Sequence, residues 1–226
     1  YVNVYLPKLA LVNSGINTDW LAKPLRNAFS HNHSLNLSGE GSGLTYQLTA
    51  NYGDTKGVMK ADSRKRFGFG AYFSYNYNQK LIFTLRANYA QTNVKNSKYG
   101  SFSQYAMANP YDAPYGADGK LRQYLSYNLR NPLYEASLSS FSTSKAKQYT
   151  INLTGRWNII KGFFISGTAN ITNIDSRNDD YTSPLSHKYS QEVDAAKKGM
   201  NTITSSESIA YSGRITFNFN KNLDEL

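Results

Sequence analysis

The chain has 226 residues, no Cys, 16 Gly, 6 Pro and a formal net charge of +10; 14% of its residues are aromatic and only 18% are charged. Without Cys, a disulfide scaffold and Cys-ligated zinc or iron–sulfur sites are excluded. The aromatic content argues against disorder, and no apolar run approaches the ~20 residues that a membrane-spanning helix needs.

Residues 1–30 read as a loop. They contain no basic segment followed by an apolar run of signal-peptide length. That leaves either a cytosolic protein or a chain whose first residue is not the biological start. From residue 31 onward the pattern has a period of two. In 31–39, Leu35 and Leu37 oppose Ser34, Asn36 and Ser38. In 44–52, Leu44, Tyr46, Leu48, Ala50 and Tyr52 oppose Thr45, Gln47, Thr49 and Asn51. The same alternation marks 66–78 (Phe67, Phe69, Ala71, Phe73, Tyr75, Tyr77) and 81–90 (Leu81, Phe83, Leu85, Ala87, Tyr89). It returns in 148–159 (Tyr149, Ile151, Leu153, Gly155, Trp157, Ile159), in 163–172 and in 209–220. A strand sends successive side chains to opposite faces, so these are seven strands, each apolar on one face and polar on the other.

A soluble antiparallel sandwich also alternates, but its strands usually run ~5–6 residues. Most strands here match the ~9–11 residues of a tilted membrane-crossing strand. Their apolar faces place aromatics near the ends, at Tyr52, Tyr75, Tyr77, Tyr89, Tyr149, Trp157, Phe163 and Phe219. Aromatic girdles at the two interfaces have this form. The expected fold is therefore all-β, an antiparallel transmembrane β-barrel.

Connections alternate in length as well. Short turns lie at 39–43, 78–80 and 160–162; long segments lie at 53–65, 94–147 and 176–208. Bacterial barrels have short periplasmic turns and long extracellular loops, so 94–147 and 176–208 are expected outside. Strand 31–39 then runs toward the periplasm. Seven strands do not close a bacterial barrel, which uses an even number. The expectation is a segment of a larger barrel, with an eighth strand in 1–30 or 121–145 as the alternative.

A resemblance sharpens this. Asn17-Thr18-Asp19-Trp20, Arg26-Asn27-Ala28-Phe29 and Asn32-His33-Ser34-Leu35-Asn36-Leu37-Ser38-Gly39 resemble the stretch after the plug in SusC/RagA-type TonB-dependent outer-membrane transporters of Bacteroidetes. Tyr52-Gly53, Gly57-Val58-Met59-Lys60, Arg66-Phe67, Asn109-Pro110-Tyr111, Asp118-Gly119 and Asp180-Tyr181-Thr182-Ser183-Pro184 continue it in the same order. One departure is Gly39-Glu40-Gly41-Ser42, where the family usually has Gly-Gly-Ser. The resemblance implies that residues 1–226 are about seven strands of a barrel of ~22 strands. It also implies a location in the outer membrane, among outer-membrane lipid, and import of a glycan or peptide nutrient. The implied partners are a SusD-like surface lipoprotein and the TonB complex, the latter through N-terminal parts that these residues do not include. A small standalone outer-membrane barrel and a soluble carbohydrate-binding module are the competing functions.

Within the 94–147 loop, Tyr111 and Tyr115 are expected to stack on substrate, with Asp112 and Asp118 as acceptors. Arg66, Arg86, Arg156 and Arg214 alternate with the apolar positions and are expected to face the lumen, opposite acidic groups of the plug. Basic residues are scattered, without the one-sided stripe of a nucleic-acid binder. His31 and His33 share a strand face, but no further His or Cys stands near them to complete a metal site. No catalytic constellation and no cofactor motif stands out, so the chain reads as a non-enzyme.

Overall fold

The computed structural model describes residues 2–220, with side chains from residue 6. Seven strands form one antiparallel sheet in chain order: β1 (Ser30–Gly41), β2 (Leu44–Lys56), β3 (Ser63–Tyr77), β4 (Leu81–Lys95), β5 (Phe141–Ile160), β6 (Phe163–Thr182) and β7 (Met200–Phe219). β1 and β7 each pair on one side only, so the sheet is open. Three short helices accompany it: α1 (Val2–Asn13), α2 (Phe102–Ala106) and α3 (Pro132–Ser137). α1 stands where a loop is expected; Lys8, Leu9, Ala10 and Leu11 favour helix there and Pro7, inside the helix, opposes it. No eighth strand occurs among the described residues: 121–140 holds only bridges and helical turns, and 141–145 belongs to β5.

The strands outrun their hydropathy pattern. β4 continues to Lys95 and β5 begins at Phe141, so the loop expected over 94–147 spans 96–140. The 176–208 loop narrows to 183–199, and 53–65 to 57–62. The added lengths are largely polar on both faces, as in Ser176-Arg177-Asn178-Asp179-Asp180. Alternation therefore stops where the backbone ladder does not.

Register carries the apolar face across the whole sheet. Leu37, Leu48, Ala71, Ala87, Ile151, Ile171 and Tyr211 stand on one line through all seven strands. Toward the short turns, Tyr77, Leu81, Trp157, Ile165 and Phe217 form another, and Phe163 packs on Phe219 at 6.5 Å between ring centroids. One position shifts: a bulge between Asn158 and Ile160 takes Ile159 out of the alternation and puts Ile160 in its place opposite Phe163. The extra residue of a bulge is unpaired and moves the following side chain to the other face.

Most of this face is exposed, from Leu35 and Tyr52 to Trp157 and Phe217. The buried hydrophobic residues, Trp20, Tyr105, Leu125, Leu133 and Leu138, all lie outside the strands. The opposite face is laced by cross-strand polar contacts, Gln47 to Asn36, Ser74 to Thr84 and Asn170 to Ser212. The molecule is thus inverted relative to a soluble sandwich: among the described residues its apolar sheet face has no second layer, and its small core sits among the connections.

The short turns show where backbone conformation matters. Asn78 and Gln79 both take positive φ (48° and 57°) in a turn closed by the Lys80 N–H donating to the Tyr77 carbonyl at 2.9 Å. Side chains disfavour this region by about 1–2 kcal/mol, and Gly is the favoured second residue of such a turn. Gln79→Gly should therefore stabilise the β3–β4 hairpin by about 0.5–1 kcal/mol, read as a higher urea midpoint in detergent. An unchanged or lower midpoint would show that the turn is not strained.

Candidate functional site in the long-loop assembly

The connections at the long-loop end pack into one assembly. Thr18 and Trp20 dock the N-terminal segment onto the β4–β5 loop. The Thr18 N–H donates to the Pro110 carbonyl (2.7 Å), the Thr18 hydroxyl to the Asp112 carbonyl (2.9 Å), and the Trp20 indole N–H to the Asn109 carbonyl (2.8 Å). Trp20 then completes a core with Tyr105, Leu125 and Leu133, flanked by Tyr99, Ala108 and Leu121. Arg26 donates from Nε to the Gly57 carbonyl (3.0 Å) and from Nη2 to that of Asp62. Lys60 donates to the Lys23 carbonyl at 2.7 Å. The β2–β3 loop is thereby tied to the same segment.

Asn131, fully buried, holds the centre. Its amide NH2 donates to the carbonyls of Pro114 (3.0 Å) and Arg122 (2.8 Å), and its Oδ1 caps α3 by accepting from the Leu133 N–H (3.0 Å). All the polar capacity that is aimed inward is used, which is what burial of an amide requires. Tyr105 is buried with its hydroxyl 3.4 Å from the Pro132 carbonyl. Burial, and to a lesser degree the neighbouring Tyr99, push its ionisation well above the usual phenol range.

Beside this core lies a cavity of about 700 Å³. Lys98, Arg130 and Lys188 supply cations to its wall, Gln104 supplies an amide, and Glu135 and His187 close one side. His187 is 2% exposed, and neither ring nitrogen has a hydrogen-bond partner among the described residues. Its ring packs 4.8 Å from Tyr124 and 5.6 Å from Tyr134, with Nε2 3.9 Å from Glu135 Oε1. Glu135 in turn accepts from the His187 N–H (2.6 Å) and the Ser186 hydroxyl (3.0 Å), joining the β4–β5 and β6–β7 connections. A basic, partly aromatic cavity of this size suits an anionic or amphipathic small ligand.

The residues expected from sequence are dispersed around this assembly. Tyr111 and Tyr115 are exposed, with rings available on the loop surface, and Asp118 is exposed and accepts from the Lys120 N–H (3.0 Å) in a tight turn. Asp112 is 3% exposed; its Oδ1 accepts from the Ser126 N–H (3.3 Å), and its Oδ2 has no partner. Its place is inside the loop, not at the surface. Arg66, Arg86, Arg156 and Arg214 do share the face opposite the apolar lines. Arg86 lies over the Tyr72 ring at 5.1 Å and Arg156 over Phe164 at 3.8 Å, which explains two aromatics on the polar face. His31 and His33 sit in an aromatic cluster with Phe29 and Tyr52, and no group of three metal-ligating side chains occurs among the described residues.

Sequence reasoning missed the His187–Glu135 pair and Asn131. Neither has a local motif, since the partners are 52 and 17 residues apart. The one available signal was Asn131-Pro132, an N-cap followed by a first-turn proline.

No protein-family model matches the chain, and no curated protein matches it. Solved structures do. A structure of the RagAB peptide transporter superposes with a TM-score of 0.71 at 19% identity, over 93% of this chain and 24% of that one. The RagAB peptide importer in an open-open state gives 0.70 at 18% identity, over 92% and 24%. Its closed-closed state gives 0.61 at 13% identity, over 92% and 32%. The chain thus spans about a quarter to a third of the length of the chains it matches. At this identity the likeness establishes the fold: an all-β open sheet, as the alternating pattern predicts, that matches a segment of a RagA-like barrel.

Two outcomes test the loop core. Asn131→Asp sets a carboxylate against two carbonyl oxygens and should destabilise the assembly by about 2 kcal/mol or more, seen as early loss of Trp20 fluorescence in a Trp157→Phe background. The Tyr105 hydroxyl ionises at higher pH folded than unfolded. Its stabilising effect is therefore complete below pH ~10 and declines as pH rises through the unfolded value toward the folded one. Tyr105→Phe should flatten that alkaline decline; an unaltered profile would place the titration elsewhere.

Proposed function

We propose that this chain is part of a SusC/RagA-type TonB-dependent transporter that imports a peptide or glycan nutrient across the outer membrane. The observation that carries the reading is the exposed apolar face, continuous in register over seven strands and edged by aromatics, on a sheet that superposes on RagAB. In water such a face would aggregate; against lipid it is the expected outer surface of a barrel. A soluble carbohydrate-binding module would need a second apolar layer, and the described residues contain none.

In this reading the remaining strands close a barrel of about 22. The short turns face the periplasm and the long-loop assembly faces outward, under a SusD-like lipoprotein. TonB acts through elements outside these residues. Arg66, Arg86, Arg156 and Arg214 line the lumen and meet the plug, two of them already oriented by Tyr72 and Phe164. Tyr111 and Tyr115 stack on ligand, and Asp118 accepts hydrogen bonds from it. Asp112 keeps the loop in shape through Ser126. Lys98, Arg130 and Lys188 favour a carboxylate-bearing ligand, hence a peptide over a neutral glycan.

These 226 residues contain no Cys, so single cysteines placed in them report cleanly once any cysteine elsewhere in the parent protein is replaced. In the parent protein in cells, Val193→Cys, 94% exposed in the β6–β7 loop, should react with a membrane-impermeant maleimide added outside. Ile151→Cys, at mid-sheet on the apolar face, should stay unlabelled until the membrane is dissolved. Labelling of Ile151→Cys in intact membranes would end the barrel reading. Deleting the gene should abolish uptake of a fluorescent peptide pool and leave uptake of neutral oligosaccharides; the reverse pattern would assign a glycan.

A further inference from the structure

The apolar face changes character beyond its aromatic edge at the long-loop end. Phe67, Gln91, Lys147 and Asp175 form one line across β3 to β6. Two residues further along, Lys65, Asn93, Lys145 and Arg177 form the next. Lys56, Ser63, Lys95, Thr143 and Asp179 form the one after that. Five cations, Lys56, Lys65, Lys95, Lys145 and Arg177, and one acid, Asp179, border a groove of about 540 Å³.

Nearby acids neutralise it only in part, since Asp54 heads the second line opposite Lys65 and pairs with Lys56. Asp54 is engaged by Lys56 at 3.2 Å and Asp175 by Lys147 at 3.7 Å. Lys65, Lys95, Lys145 and Arg177 are exposed and make no ion pair within 4 Å among the described residues. Lys145 stands directly opposite Arg177 in the ladder. Like charges so placed destabilise a sheet, and an anion between them removes the cost.

Position says what the anion is attached to. The groove lies on the same face as Phe67, Tyr89 and Tyr149, two to four residues past Phe67 and four to six past the two tyrosines. At ~3.3 Å per residue that is roughly 7–13 Å along the strands from Phe67 and roughly 13–20 Å from the tyrosines, less along the membrane normal once the strands tilt. The headgroup layer outside the hydrocarbon is about 5–8 Å deep on each side. A ligand with a phosphate in the groove and a hydrocarbon body on Phe67 and Tyr149 matches both features. A soluble anion uses only the first.

We propose that this groove binds the phosphate of an anionic membrane lipid in the leaflet at the long-loop end. The inference rests on the barrel reading above. The site is separate from the lumen and from the His187 cavity, so it anchors the barrel's height and rotation in the bilayer and takes no part in transport chemistry.

The test uses the full-length parent protein in phosphatidylcholine nanodiscs, with and without brominated phosphatidic acid, and native mass spectrometry of the lipids retained on extraction. Wild type should retain phosphatidic acid over phosphatidylcholine, and excess inorganic phosphate should not displace it. Each of Lys65→Gln, Lys145→Gln and Arg177→Gln should weaken retention about five-fold. The charge-conserving pair Lys145→Arg with Arg177→Lys should keep it, which separates charge from folding. Equal retention of both lipids by wild type, or undiminished preference in the Gln variants, would overturn the proposal and leave the barrel standing. Displacement by inorganic phosphate would make it an anion site and not a lipid site. Failure to enter nanodiscs at all would instead overturn the barrel reading.

Discussion

Everything in this molecule depends on one antiparallel ladder that keeps register from Ser30 to Phe219, with a single bulge at Asn158–Ile160. Because side chains alternate, an unbroken register adds the apolar faces of seven strands into one surface and the polar faces into another. A one-residue slip anywhere would put leucines among the asparagines. The bulge lies beside the Lys161–Gly162 turn, where only the last pair is affected and Phe163 and Phe219 still meet.

That ladder also explains why the core is where it is. A sheet whose apolar side has no second layer cannot supply a buried core, so hydrophobic burial is confined to the connections. Trp20 comes from a segment that the chain separates from Tyr105, Leu125 and Leu133 by 85 residues or more. Buried polar groups with partners, Asn131 and the Trp20 indole, tie these segments together. The loop assembly is therefore a small globular body seated on the sheet rim, and its cavity is shaped by packing, not by the strands below it.

Charge is arranged on the same plan. The net charge of +10 does not mark a nucleic-acid stripe. Part of it lies on the polar face, with guanidinium groups over Tyr72 and Phe164. Part lies around the His187 cavity, and part forms the belt of Lys56, Lys65, Lys95, Lys145 and Arg177 past the aromatic edge. Each group has its own surroundings and, in the functional reading, its own counterpart: the plug, the ligand and the lipid.

The sequence by itself determined the number of strands, the composition of each face and the alternation of short and long connections. Period-two hydropathy is a local property. It determined the face of Arg66, Arg86, Arg156 and Arg214 for the same reason. Tertiary structure decided the rest. Strand ends such as 141–147 and 200–208 are largely polar on both sides, so only hydrogen-bonded partners reveal them as strand. Asp112 looked like a surface acceptor beside Tyr111, yet docking of Thr18 and Ser126 buries it. His187 gained significance only when Glu135, 52 residues away, came to its side. The lysine belt became legible once register set residues of β2 through β6 side by side on the face that also carries Phe67 and Tyr149. Alternation along a strand says which side a residue is on; only the ladder says which residues share its height.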